Sequence, residues 1–249
     1  MDIPASIIVI SPHLDDAVFS CGNLIAASHA AMVVTVFAGE PAPAPGAPEW
    51  DLAAGFSSGA QAVRARRQED GRALRRLGAE PVWLDFLDGQ YGGRRTAVDI
   101  AVRLGRLLSL QRRATIVAPL GVYHPDHVLV NAACMLLREA VAVDHSALAV
   151  ADDEAPAPAP APQQWLFYED AIHRRMPGAL QSRLAGWWQE GLIVAPVHLP
   201  LSHPQYQSRK ALAVEAYESQ LRLFNAEQLA DISVPERYWT LDPHPKPAR

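Results

Sequence analysis

Cysteine is scarce. The two in 249 residues, Cys21 and Cys134, both lie in apolar helical stretches. They read as small core residues in a reducing compartment and exclude a disulfide framework. No apolar run reaches the length of a membrane span, and the opening Met1-Asp2-Ile3-Pro4 carries no basic leader region; a soluble, cytoplasmic protein is expected. Basic residues form no stripe beyond the helical cluster Arg64 to Arg76, and the formal net charge is −5, so nucleic acid is not an expected partner. No internal repeat is visible, and no Gly-x-Gly-x-x-Gly follows the first strand, where Gly22 stands alone. Apolar residues are plentiful: the 49% hydrophobic fraction is ample for a core in one large α/β domain or two small ones.

Six residues organise the chain: Ser11-Pro12-His13-Leu14-Asp15-Asp16. They follow the β-branched run Ile7–Ile10, which is short, apolar and bounded by Ser-Pro, as a buried strand is. A helical pattern runs from about Asp16 to Ala31. Strand, tight turn and helix place His13, Asp15 and Asp16 at the carboxyl end of the first strand, where open α/β sheets bind ligands. One imidazole and two carboxylates in four residues are costly to crowd unless something positive sits among them, and a divalent metal is the natural candidate. Read structurally, the same residues are an N-cap and polar turn.

A second strand, Val33–Phe37, completes a right-handed βαβ unit. The loop from Glu40 to Gly59, with Trp50 and Phe56, leaves the same side as His13 and is either a substrate-facing flap or a plain insertion. A helix spans Ala60 to Leu77, closed by Gly78. Then come a strand at Val82–Phe86, a turn at Leu87-Asp88-Gly89, a helix at Thr96–Leu110, a strand at Thr115–Ala118 and a helix at His127–Val143. The stretch 151–164 is low in complexity, acidic and then Pro-Ala-rich, and reads as an insertion within one domain, 1–249. Strand Trp165–Tyr168, helix Pro177–Gly191, edge strand Ile193–Leu199 and helix Tyr206–Phe224 follow. Trp187-Trp188 and Tyr217 read as core, and the tail from Pro235 as loosely packed. The expected class is α/β: a Rossmann-like three-layer sandwich with a mostly parallel central sheet and helices on both faces.

Gly121-Val122-Tyr123-His124-Pro125-Asp126-His127 also follows a strand. Two histidines at i and i+3 around an aspartate are unusual in a loop. His13, Asp16 and one of these histidines make a two-histidine, one-carboxylate set with an open position, which suits zinc and does not exclude iron, cobalt or manganese.

Pro12-His13-Leu14-Asp15-Asp16 with His124-Pro125-Asp126-His127 resembles the LmbE-like, or PIG-L, family of zinc-dependent N-acetylglucosaminyl deacetylases. Leu14 and Ala17 replace the Pro and Glu usual in the first motif. Arg66-x-x-Glu69 with Ala73 and Leu77-Gly78, Leu87-Asp88-Gly89, and Lys210-Ala211 with Tyr217-Glu218-Ser219-Gln220 resemble further family features. The resemblance implies that His13, Asp16 and His127 hold one Zn2+ per chain. It implies that the metal brings a water toward a pKa of about 7, with Asp15 as general base and then acid. A protonated His124 would stabilise the oxyanion, Asp126 would hold the His124 ring in its charged form, and Arg66 and Asp88 would grip substrate hydroxyls or a phosphate. The activity implied is removal of an N-acetyl or other N-acyl group from an amino-sugar-containing small molecule.

Two alternatives stand beside it. One is a metal phosphoesterase, which ordinarily needs two metals and more ligands than are visible. The other is a non-catalytic α/β module: a nucleotide binder, against which the missing Gly-x-Gly-x-x-Gly speaks, or a carbohydrate binder, against which the retention of Asp15 speaks. Arg66 and Glu69 could equally be an exposed helix pair, and Asp88 a structural turn residue. His29, His145, His173, His198, His203 and His244 carry no assigned role, His198 and His203 being the first to reconsider. Self-association into a homo-oligomer is left open.

Overall fold

In the computed structural model of the chain, the described residues are 1–93, 95–111, 113–148 and 163–243, with the side chains of 141–148 set aside. Strand β1 (Ser6–Ser11) is the centre. Its strict alternation sends Ile7 and Val9 into one core cluster and Ile8 and Ile10 into the other, so the strand is buried on both faces. Around it run β2 (Ala30–Thr35), β3 (Glu80–Trp83), β4 (Thr115–Pro119), β5 (Trp165–Tyr168), β6 (Leu192–Val197) and β7 (Tyr238–Pro243). The sheet order is β3-β2-β1-β4-β5-β7-β6. The first five in that row pair in parallel, while β7 lies antiparallel to both β5 and β6.

Helices α1 (Asp16–Ala27), α3 (Gly59–Leu77) and α7 (Pro204–Val214) cover one face through Phe19, Leu24, Leu74, Leu77 and Ala213. Helices α4 (Ala97–Leu108), α5 (Pro125–Leu148) and α6 (Ala179–Gln189) cover the other through Ile100, Leu104, Val130, Cys134 and Trp187. Both cysteines are buried core residues with free thiols. The expected three-layer sandwich is what forms. The chain winds from β1 outward on one side and from β4 outward on the other, so the switch point lies between β1 and β4. Among the described residues no helix is long and apolar enough to cross a membrane.

Several element boundaries differ from expectation. The first helix stops at Ala27, not Ala31, because Ser28 turns extended and the amides of His29 and Ala30 bond Ala5 O, pulling β2 into register three residues early. The third strand is Glu80–Trp83 rather than Val82–Phe86, and beyond it only an isolated bridge, Phe37 to Asp85, remains. The loop after β2 contains a short helix, α2 (Glu49–Ala53). The long helix expected over Tyr206–Phe224 is broken into α7 and α8 (Glu218–Leu221) at the fully buried Tyr217, which turns inward to bond Asp70, and a separate helix, α9 (Ala226–Ser233), follows. The described part of the tail is not loose: β7 is inserted between β5 and β6, while residues 244–249 lie outside the described residues. Trp187 is core, but Trp188 is 61% exposed. Residues 151–162 of the low-complexity stretch lie outside the described residues.

Candidate active site

The parallel strands bring their carboxyl ends to one side, and each loop there contributes. After β1, the turn is closed by its own polar groups. Ser11 Oγ donates to His13 O (2.7 Å) and accepts from Ala17 N (3.0 Å), while His13 N donates to Asp16 Oδ2 (2.9 Å). Asp15 occupies the N-cap position of α1 but makes no capping hydrogen bond. Its carboxyl is buried instead, so capping does not explain it. After β4, Gly121 has φ 72°, and a Cβ there would lie 2.7 Å from Asn131 Cβ, so only glycine fits. Tyr123 has φ 67°, the one positive value among the described non-glycine residues, a strain of the kind that collects at functional turns. Pro125 then starts α5, a favourable first helical position.

These loops bring the two motifs together. Asp16 Oδ2 lies 3.2 Å from His13 Nδ1 and 3.2 Å from His127 Nε2. The ligand atoms of His13, Asp16 and His127 all lie within 4.8 Å of one another. Each histidine also has a carboxylate at its far nitrogen. His127 Nδ1 is 2.7 Å from Asp170 Oδ1, and His13 Nε2 is 3.2 Å from Asp126 Oδ2. Such outer carboxylates fix the ring tautomer and leave the inward nitrogen free to ligate. The charges agree. Burial alone would lower the His127 pKa, but Asp16 and Asp170 outweigh it and push it up to about 10. Burial likewise opposes a raised value at His13, yet Asp126 and Asp16 hold it well above the usual range. A pocket that draws positive charge onto both rings is one in which a dication fits.

A second group, His13, His124 and Asp126, has ligand atoms equally close, but its donors are taken. Asp126 Oδ2 accepts from Gly89 N (3.0 Å), and Oδ1 lies 2.6 Å from Arg95 Nη1. The expected pairing of the Asp126 carboxylate with the His124 ring is not found. It is the Asp126 backbone N that donates to His124 Nδ1 (3.2 Å). Burial and the neighbouring His13 and His127 lower the His124 pKa, which corrects the expected protonated ring. A neutral ring whose Nδ1 accepts carries its proton on Nε2 and remains a donor. Asp15 is pushed up to about 8 by burial and by the charge of Asp16.

Arg66 and Glu69 are buried and not paired with each other, which removes the exposed-pair reading. Glu69 accepts from Ser219 N and Oγ (2.9 and 2.6 Å). Arg66 Nη1 sits 2.8 Å from Asp51 Oδ1, and Tyr91 Oη donates to Asp51 Oδ2 (2.8 Å). The loop after β2 is therefore pinned at the site through Asp51. Asp88 has the structural turn role considered for it, accepting from Gln90 N (2.9 Å), and its carboxylate also lines the cavity, 3.7 Å from His13 Nε2.

Sequence reasoning missed Asp170 and His173. Asp170 stands just beyond β5, at a parallel strand's carboxyl end, the same position that singled out His13. His173 packs against His124 (ring centroids 5.8 Å apart, stacked) and His127 (5.1 Å, edge-on). His198 and His203 are exposed and are not among the cavity residues. The site opens into a cavity of about 660 Å³, whose wall includes Asp15, Arg66, Asp88, His124, Trp50 and Phe224.

Residues 8–137 match the family described as PIG-L, GlcNAc-PI de-N-acetylase. Among solved structures, a triple mutant of a deacetylase of the teicoplanin biosynthetic pathway superposes with a TM-score of 0.70 at 23% identity, covering 96% of this chain and 99% of that one. The A40926 pseudoaglycone deacetylase Dbv21 gives 0.70 at 22% identity over 98% and 99%. The N,N'-diacetylchitobiose deacetylase of Pyrococcus horikoshii gives 0.55 at 16% over 98% and 87%. At these identities the likeness is one of fold. No curated protein matches.

Proposed function

The chain belongs to the PIG-L (LmbE-like) family, and from that premise we propose that it is a zinc-dependent hydrolase removing an N-acetyl or other N-acyl group from an amino-sugar-containing small molecule. The observation that carries the proposal is the convergence of His13, Asp16 and His127 on one point, with Asp15 beside it. Two imidazoles and one carboxylate, each imidazole backed by an outer carboxylate, suit a catalytic zinc with an open position. When bound, the metal supplies Lewis acidity toward the amide oxygen and a water acidified into the neutral range.

The remaining steps belong to the chain. Asp15 is adjacent to Asp16, buried, and able to hold a proton near neutral pH. It takes a proton from the attacking water and returns it to the departing amine, so that amine and carboxylate leave. A dication nearby would bring its pKa down from its raised value. His124 donates from neutral Nε2–H toward the oxygen on which charge develops. His173, whose pKa burial and the neighbouring His127 lower to about 4, stays neutral and backs the His124 ring. Asp88 takes substrate hydroxyls. Arg66, closed off by Asp51, has little surface to offer them. The loop around Trp50 and Asp51 forms a fixed wall.

Elemental analysis of purified protein tests the site. About one zinc per chain is expected, lost in both His13→Ala and His127→Ala, together with acetate release from acetamido sugars by the loaded wild type. A wild type that binds no metal, or retains it in either variant, contradicts the assignment.

A further inference from the structure

Both guanidinium groups among the described residues of the cavity wall are already paired. Arg66 is held by Asp51 at 2.8 Å, with side chains 6% and 0% exposed. Its Nε and Nη2 are buried as well, with no acceptor. Arg95 is held by Asp126 at 2.6 Å and lies over the Phe37 ring, 5.1 Å from its centroid. The carboxyls of Asp15, Asp16, Asp88 and Asp126 line the same cavity. A dication at His13, Asp16 and His127 would be matched by Asp15 and Asp16, leaving no surplus positive charge. Beyond these groups and the His13 and His127 rings, the wall adds, among the described residues, no acidic side chain and no lysine or further arginine: it is the His124 and His173 rings, the Tyr91 hydroxyl, glutamine amides and apolar groups such as Trp50 and Phe224.

We infer that this cavity selects an electrically neutral amide substrate and rejects one carrying a phosphate, and that Asp51 sets this choice by neutralising Arg66. The inference rests on the proposal that the cavity takes the substrate. A phosphate dianion reaching the wall would have to displace Asp51 or Asp126 from its arginine, or uncover the buried Nε and Nη2 of Arg66, and opening a buried ion pair strands a charge. Otherwise it would lie against the carboxylate of Asp88, which no arginine or lysine neutralises among the described residues, a like-charge contact. A neutral sugar meets neither obstacle. Its hydroxyls can donate to Asp88 and bond the glutamine amides, and its apolar faces can lie on Trp50 and Phe224, whose rings stand 6.2 Å apart. The family description names a phosphoinositide substrate, so on this point the chain departs from its family's namesake.

The test compares two ligands on zinc-loaded protein: the methyl glycoside of N-acetylglucosamine and N-acetylglucosamine 1-phosphate. Binding is read by calorimetry and turnover by acetate release. Wild type is expected to bind the neutral sugar at least about tenfold more tightly. Asp51→Asn, which keeps an acceptor for Tyr91 while freeing the Arg66 charge, should narrow that ratio several-fold. Tyr91→Phe removes the other anchor of Asp51 but not its charge, and should leave the ratio alone. Equal or tighter binding of the phosphate by wild type overturns the selectivity whatever the variants do. An unchanged ratio in folded Asp51→Asn, or equal narrowing in Tyr91→Phe, overturns the role of Asp51. If the phosphate binds more tightly while acetate is still released, the deacetylase proposal survives and this inference does not. Binding of neither ligand overturns both.

Discussion

At the scale of residues, the site depends on carboxylates that touch no substrate. Asp170 accepts from His127 Nδ1 and from Val122 N (3.0 Å), tying the end of β5 to the loop after β4. Asp170→Ala is expected to weaken zinc affinity about 10- to 100-fold, and Asp170→Asn, which keeps an acceptor, less. Competition with a chromogenic chelator measures both, and unchanged affinity in the alanine variant would refute the role. A second buried acid, Asp70, shapes stability. Burial pushes it up to about 6 against hydrogen bonds from Trp83 and Tyr217. A carboxyl whose folded pKa lies above its unfolded one stabilises most at low pH. That contribution is full below the ordinary value near 4 and is lost as pH rises through about 6, a swing on the order of 3 kcal/mol. Urea unfolding of wild type and Asp70→Asn should therefore give a gap that shifts in the variant's favour from pH 5 to pH 8. A pH-independent gap would contradict this.

At the scale of elements, one buried acid ties α7 and β7 to α1. Glu236 accepts from Lys210 Nζ (2.8 Å), Tyr238 Oη (2.7 Å) and the amides of Asn23 and Leu24 in α1 (2.7 and 3.1 Å). Its side chain is 1% exposed and that of Lys210 7%. Removing one member of a buried pair strands the other, so Glu236→Ala should cost about 3–5 kcal/mol in denaturant unfolding. A loss under 1 kcal/mol would mean that α7 and β7 dock without it. This lock is also where sequence reading stopped. The first strand, the crossover and both His/Asp motifs were legible because their signals are local: a β-branched run, a Pro bounding it, ligands within four residues. The tail's role was not, because the pairing of β7 with β5 and β6 joins segments distant in sequence, and nothing near Pro235 announces it. The break at Tyr217 was hidden for the same reason, since its partner Asp70 belongs to α3. Asp170 and His173 became visible only once β4 and β5 were neighbours.

At the scale of the whole molecule, the three residues proposed to hold the metal, His13, Asp16 and His127, lie within the family-matched segment 8–137, while Asp170, His173 and Glu236 come from beyond it. The sheet is continuous across that boundary through β4 and β5. We propose that 1–249 behaves as one domain, and calorimetry should record a single unfolding transition whose calorimetric and van't Hoff enthalpies agree. Two resolved transitions would contradict it. The central claim is that the strand ends assemble a metal-dependent deacylase with Asp15 as its proton carrier, and one comparison tests it most directly. Acetate release from a neutral N-acetylglucosamine glycoside is measured for wild type and Asp15→Asn, each with its zinc content determined. The account predicts equal zinc in the two proteins and a rate lowered about 10²- to 10⁴-fold in the variant. Equal rates at equal zinc would contradict it.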